Sequence, residues 1–155
     1  HEADKAWPVP AEAAAQTTGV IQVIEATEGA IGYADASAVT GQSAAIGVGE
    51  EFVSYSADAA AKVVDASEPA DTGVEGDMAL ELARDTTESG TYPIVLVTYE
   101  VVCSKYKDAE IGKSVKSFLT YFAGDDIQKN LESQGYAPLP ADIQGKVKTA
   151  VNAIQ

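Results

Sequence analysis

The feature that most constrains the fold is the run Ile94-Val95-Leu96-Val97-Thr98-Tyr99-Glu100-Val101-Val102-Cys103, introduced by Tyr92-Pro93. Branched side chains are stiff at χ1 and pack well on a pleated surface, so the run predicts a long strand. It is too short for a membrane span, which takes roughly 18 apolar residues, and Thr98 and Glu100 interrupt it. A strand of this kind needs a sheet. The patterns on either side therefore decide the class.

Those patterns are mainly helical. Thr17 or Thr18 can cap a short helix carrying Val20, Ile21, Val23 and Ile24, ended by Glu28-Gly29. Ala30-Ile31-Gly32-Tyr33-Ala34 reads as a short buried strand in which glycine permits close backbone packing. Two extended pieces between Ala45 and Val53, interrupted by Gly47 and Gly49, predict a hairpin or a bulged strand. Ser56 can cap a helix through Val63-Val64, with Asp58 favourably placed in its first turn. Residues 67–77 are rich in Pro, Gly and acids and predict a loop. Met78, Leu80 and Leu82 alternate with Ala79, Glu81 and Ala83, a half-buried strand with a short helix as the alternative.

Beyond the long run, Asp108 can cap a helix with Ile111, Val115, Phe118, Leu119 and Phe122 at helical spacing and Lys113 and Lys116 facing out. Asp125 can start another, carrying Ile127 and Leu131 and stopped by Gly135. Pro138 and Pro140 fix an extended turn, and Ile143, Val147, Val151 and Ile154 mark one face of a last helix. Phe118, Tyr121 and Phe122 read as core residues in preference to a ligand cage. Strands separated by helices imply an α/β or α+β fold. At 155 residues the chain amounts to one domain, or a substantial piece of a larger one, and needs no metal or disulfide staple.

Charge and reactive groups narrow the function. The net charge is −14, very unevenly spread: residues 1–100 hold 18 acids against Lys5, Lys62 and Arg84, whereas residues 101–155 hold six acids against seven lysines. Such a surface repels a phosphate backbone, which argues against nucleic-acid binding. A solvated acidic surface accounts for it, and no spacing of the acids favours a dedicated basic partner. His1 is the only histidine, which removes histidine-based catalysis and nearly all zinc sites. Cys103 is the only cysteine, so no internal disulfide forms; its apolar surroundings predict an inert buried thiol. Glu50-Glu51 and Asp125-Asp126 are adjacent acids that do not converge on one point and lack calcium-loop spacing. No phosphate-cradling GxGxxG or GxxxxGK[ST] motif occurs. The expectation is no enzyme, no cofactor and no metal. His1-Glu2-Ala3-Asp4 does not open a signal peptide, as expected of a mature, trimmed or truncated chain as much as of a cytosolic one.

Three stretches, in order, resemble the C-terminal half of the phosphate-binding proteins that serve phosphate-specific ABC transporters. They are Thr27-Glu28-Gly29-Ala30-Ile31-Gly32-Tyr33, the Tyr92–Cys103 run, and Phe118-Leu119-Thr120-Tyr121 followed by Gly135-Tyr136-Ala137-Pro138-Leu139-Pro140. Lys5-Ala6-Trp7-Pro8 matches the tryptophan-proline that precedes this half. The resemblance implies an α/β fold, specifically the C-terminal half of a two-lobe, type II periplasmic-binding-protein-like architecture. Residues 1–90 would belong to the second lobe; residues 91–155 would be the returning strand and C-terminal helices of the first. Such a half should expose apolar sheet edges and faces.

The resemblance further implies inorganic phosphate as ligand, an ABC permease as partner, and an extracytoplasmic parent protein held to the membrane only by an N-terminal lipid. In that family the ligands lie in the other half, including an Arg-x-x-x-Ser-Gly-Thr segment that would fall before Lys5. No ligand-binding residue is therefore assigned here. Ser89-Gly90-Thr91 spells part of that motif, but it follows Arg84 by five residues where the pattern needs four, and it matches the loop before the strand. Two alternatives stay open: a binding protein for another oxyanion, and a free-standing acidic interaction domain without ligand.

Overall fold

The computed structural model describes residues 10–74 and 76–155; His1, Lys5 and the Trp7-Pro8 pair lie outside them. The chain divides into two compact units, with the boundary between Gln42 and Ser43. Helices and small sheets together make it an α/β protein.

In the first unit, α1 (Gln16–Ala26) forms where the apolar spacing predicts, but neither threonine caps it. Ala15 occupies the cap position, and the Thr17 hydroxyl instead donates to Asp35, 3.3 Å away. Gly32 sits beneath the helix: a Cβ there would come within 2.7 Å of Ile24 Cδ1, so the close packing read from this glycine is present. The strand expected at residues 30–34 is absent: none of these residues belongs to a strand or bridge among the described residues. Ile31 and Tyr33 are exposed.

The second unit begins with a hairpin, β1 (Ile46–Val48) and β2 (Glu51–Val53), paired in antiparallel register Ile46↔Val53 and Val48↔Glu51. Gly49 takes a positive φ of 59° in the two-residue turn, the geometry that matches strand twist there. A side chain at Gly49 would also collide with the Thr87 carbonyl at 2.9 Å. Helix α2 (Ala57–Asp65) follows, capped as predicted by the Ser56 hydroxyl, which accepts from the Ala59 N–H at 3.0 Å. Ala57, Ala59, Ala60 and Val63 are its buried face. The predicted loop and strand around residue 75 share one small ladder: β3 (Glu68–Pro69) pairs with β4 (Leu80–Glu81). The loop thus starts with a strand, and the strand expected over residues 78–83 shrinks to two residues. Next to it the Ala70 N–H donates to the Ala79 carbonyl at 2.9 Å.

The largest departure is the run 94–103. It forms no ladder among the described residues. Its entry is bent, because the Val95 N–H turns back to the Pro93 carbonyl at 3.1 Å, an i→i−2 contact of the γ-turn kind. A strand's N–H and C=O groups must be satisfied by a neighbour, and no strand of the described residues is paired with it. Leu96 is 85% exposed and Val101 94%. Cys103 is exposed for the same reason, correcting the buried thiol expected from its apolar sequence neighbours.

The C-terminal helices close a core of their own. Helix α3 (Ala109–Phe122) is capped by Asp108, whose carboxylate accepts from the Glu110 N–H at 2.9 Å. Helix α4 (Asp125–Leu131) runs into a 3₁₀ turn and stops at Gly135, left-handed at φ 82°. Helix α5 (Ala141–Ala153) packs on α3, burying Leu119, Val151 and Ile154 with Tyr106, Val115 and Val147 around them. Gly112 leaves room for the backbone of Gln155, which exchanges hydrogen bonds of 2.9 Å with Ser104 and Tyr106. Lys116 does not simply face out. Its ammonium donates to the carbonyls of Asn152 (2.6 Å) and Ile154 (3.3 Å), capping the end of α5. Phe118, Tyr121 and Phe122 are exposed, not core; the residues of α3 that pack on α5 and the C-terminus are Gly112, Val115 and Leu119.

Candidate functional site

An anion site needs convergent donors, and those around Arg84 and the Ser89-Gly90-Thr91 triplet are engaged within the protein. Arg84 is the only arginine, and its guanidinium donates to the carbonyls of Pro93 (3.3 Å) and Val95 (3.0 Å). Thr91 is fully buried, with its hydroxyl donating to the Glu88 carbonyl at 2.6 Å. The Gly90 N–H donates to Glu51 Oε1 at 2.7 Å, and the Ser89 hydroxyl bonds the same carboxylate. Those two contacts hold the Glu51 carboxyl below its usual range, Ser89 contributing most. The Ser89-Gly90-Thr91 triplet is therefore built around a carboxylate, which repels the phosphate a ligand loop would hold.

The helix N-termini of the second unit offer no substitute. Their exposed N–H groups and positive dipole ends attract anions. In the second unit each first turn already carries acid: Asp58 in α2, Glu110 in α3, Asp125 and Asp126 in α4, and Asp142 in α5. Asp125 accepts from Lys148 (2.6 Å) and Gln144 (3.0 Å), and these contacts, Lys148 first, lower its pKa. It joins α4 to α5 and is a structural group.

Among the described residues no cluster of three or more His, Cys, Asp or Glu could hold a metal ion. Of the acid pairs singled out in the sequence, Glu51 accepts from the Gly90 N–H and Asp125 from Lys148 and Gln144. The feature that sequence reasoning missed is the open face of α3, where Lys113, Ser114, Ser117, Phe118 and Tyr121 line a shallow concavity. Its apolar residues were legible; that they would stay uncovered was not.

Comparison with known proteins gives the class. Residues 2–126 match the model of the PBP superfamily domain. The chain belongs to the PBP superfamily. It is similar to the phosphate-binding protein PstS 3 of Mycobacterium leprae (strain TN), 35% identical over 150 residues, covering 92% of this chain and 40% of that protein. Phosphate-binding protein PstS 2 of Mycobacterium tuberculosis (strain ATCC 25618 / H37Rv) is 32% identical over 148 residues, covering 91% and 39%. PstS 3 of the same strain reaches 44% identity over a shorter stretch of 85 residues, 54% of this chain and 23% of that protein. The chain spans about two fifths of the length of the first two relatives. These matches agree with the resemblance read from the TEGAIGY, YPIVLVTYEVVC and GYAPLP stretches.

Proposed function

We propose that residues 1–155 are the C-terminal part of a two-lobe, extracytoplasmic phosphate-binding protein that delivers inorganic phosphate to an ABC permease. Residues 1–90 belong to its second lobe, and residues 91–155 return to the first. The main anion ligands come from polypeptide outside this sequence. The parent protein is held at the membrane by a lipid; no helix of the described residues is long and apolar enough to cross one. The observation that carries this reading is the match to the PstS 3 relative over 92% of the chain.

Physical chemistry supports the division of labour. Burying a phosphate without partners costs many kcal/mol, so a selective site aims numerous N–H, hydroxyl and guanidinium donors at it. A carboxylate that accepts the proton phosphate retains near neutral pH would discriminate against fully ionised sulfate. A chain of net charge −14 opposes anion approach at long range and can bind only through such a local array. In the described residues Arg84, Ser89 and Thr91 are engaged elsewhere.

Calorimetric titration tests the reading. The chain alone should show no phosphate binding at micromolar concentrations; micromolar or tighter binding would place the ligands within residues 1–155 and overturn the division. Assembled with the remaining part of the fold, it should bind phosphate in preference to sulfate, molybdate and arsenate. Preference for one of those anions would replace phosphate as the ligand.

A further inference from the structure

Residues 43–95 and the C-terminal helices bury separate sets of side chains. In the former, Ala57, Ala59, Ala60 and Val63 are the buried face of α2. In the latter, Leu119, Val151 and Ile154 pack with Tyr106, Val115 and Val147, none of them before residue 106. The run that joins the two parts changes partners along its length. Its first stretch is held by residues 80–84: Arg84 donates to the Pro93 and Val95 carbonyls, and the Tyr99 hydroxyl accepts from the Leu80 N–H at 3.0 Å. Its end belongs to the helices, where the Cys103 N–H donates to the Tyr106 hydroxyl at 3.2 Å and the Ser104 carbonyl accepts from the Gln155 N–H. Between these anchors Val101 is almost fully exposed. A hydrogen bond also bridges the two parts directly. The Tyr55 hydroxyl donates to the Gly135 carbonyl at 2.9 Å, across 80 residues of chain.

We propose that Tyr55 is a latch, a positioning residue that holds the C-terminal helices at one orientation to residues 43–95. The inference deepens the functional reading above and rests on it only for calling the two parts lobes; in that reading the bond runs from one lobe to the other. Both of its ends are built for the contact. Tyr55 lies between the end of β2 and the Ser56 cap of α2, so its backbone is placed from both sides. Its ring meets Tyr92 edge-on, with centroids 5.6 Å apart and planes at 81°. Tyr92 is itself anchored through its N–H to the Ala59 carbonyl at 2.9 Å. Burial, and then Tyr92, raise the pKa of the Tyr55 phenol, which keeps the hydroxyl a donor. Gly135 is the left-handed stop after α4, and its carbonyl lies past the last helical turn, where no intrahelical donor reaches it. A single neutral hydrogen bond contributes little net stability. What it contributes is direction, and it can open without breaking the packing of either part. Once it opens, the exposed stretch around Val101 is where the two parts can turn.

Residual dipolar couplings of the full chain, measured by NMR, test the latch. In the unsubstituted chain the amides of α2 and those of α3 and α5 should fit one alignment frame. Tyr55→Phe keeps the ring against Tyr92 and removes only the hydroxyl. Its couplings should require separate frames for α2 and for the C-terminal helices, while amide exchange within α2 and α5 changes by less than about twofold. A single frame in Tyr55→Phe overturns the proposal, and so do separate frames in the unsubstituted chain. Loss of protection in both α2 and α5 of the variant would make Tyr55 a member of a shared core and would overturn it as well. The experiment contains no phosphate, so its result and that of the calorimetric titration are independent. Absence of phosphate uptake by the assembled protein would break the functional reading and leave the latch standing, and a failed latch would leave the phosphate reading untouched.

Discussion

The C-terminal helices and the run at residues 94–103 are neighbours in sequence with opposite fates. Both carry strong patterns, and both were predicted as regular structure. The helices form, because an α-helix satisfies its backbone groups within its own segment and needs only one covered face to be held. The run does not become a strand, because strand hydrogen bonds are borrowed from another segment, and none of the described residues pairs with it in a ladder. Local pattern specifies what an element can be. Whether it forms depends on who else is present.

Breaking the helical side should have the largest effect. Leu119 is buried between α3 and α5, and Leu119→Ala removes core methyl groups and leaves a cavity. A loss of about 2–4 kcal/mol in urea-induced unfolding is expected. Gln128 is buried in α4, where its amide donates to the Phe122 carbonyl (2.9 Å) and accepts from the Leu139 N–H (2.8 Å). Gln128→Ala leaves both backbone groups without that partner and should cost about 1–3 kcal/mol in the same assay.

The Asp125 contacts give a smaller, pH-dependent effect. Its folded pKa is lowered, chiefly by Lys148 and then by Gln144, so its contribution is complete above the unfolded carboxylate pKa. That contribution is lost as pH falls through the lowered folded value. Asp125→Asn should flatten the acid limb of a stability-against-pH curve and change little at neutral pH, since the carboxylate is exposed. The smallest effect belongs to the open run. Leu96→Ala should shift stability by no more than about 0.5 kcal/mol, as for a surface site. A cost comparable to that of Leu119→Ala would mean that the run is packed after all.

What could be read in the sequence follows the same division. The caps at Ser56 and Asp108, the stop at Gly135 and the hairpin between Ala45 and Val53 depend on residues a few positions apart, and all four are present. The α3 stripe predicted a covered helix but could not show that Phe118, Tyr121 and Phe122 stay exposed. Cys103 was misplaced with its run. Lys116 was read as a solvent-facing charge because its carbonyl partners lie 36 and 38 residues away. At the candidate site, Arg84 and Ser89-Gly90-Thr91 lack the motif spacing, and the structure engages them with carbonyls and with Glu51, partners that no local pattern announces.

Amide hydrogen exchange of the chain alone, read by mass spectrometry, tests most directly the claim that its helices are complete and its sheet is not. Amides in α3 and α5 should be protected, while those of residues 96–102 exchange at nearly the rate of an unstructured peptide. Protection of residues 96–102 comparable to that of α3 would contradict the account, because the run would then have found its strand partner without help from outside.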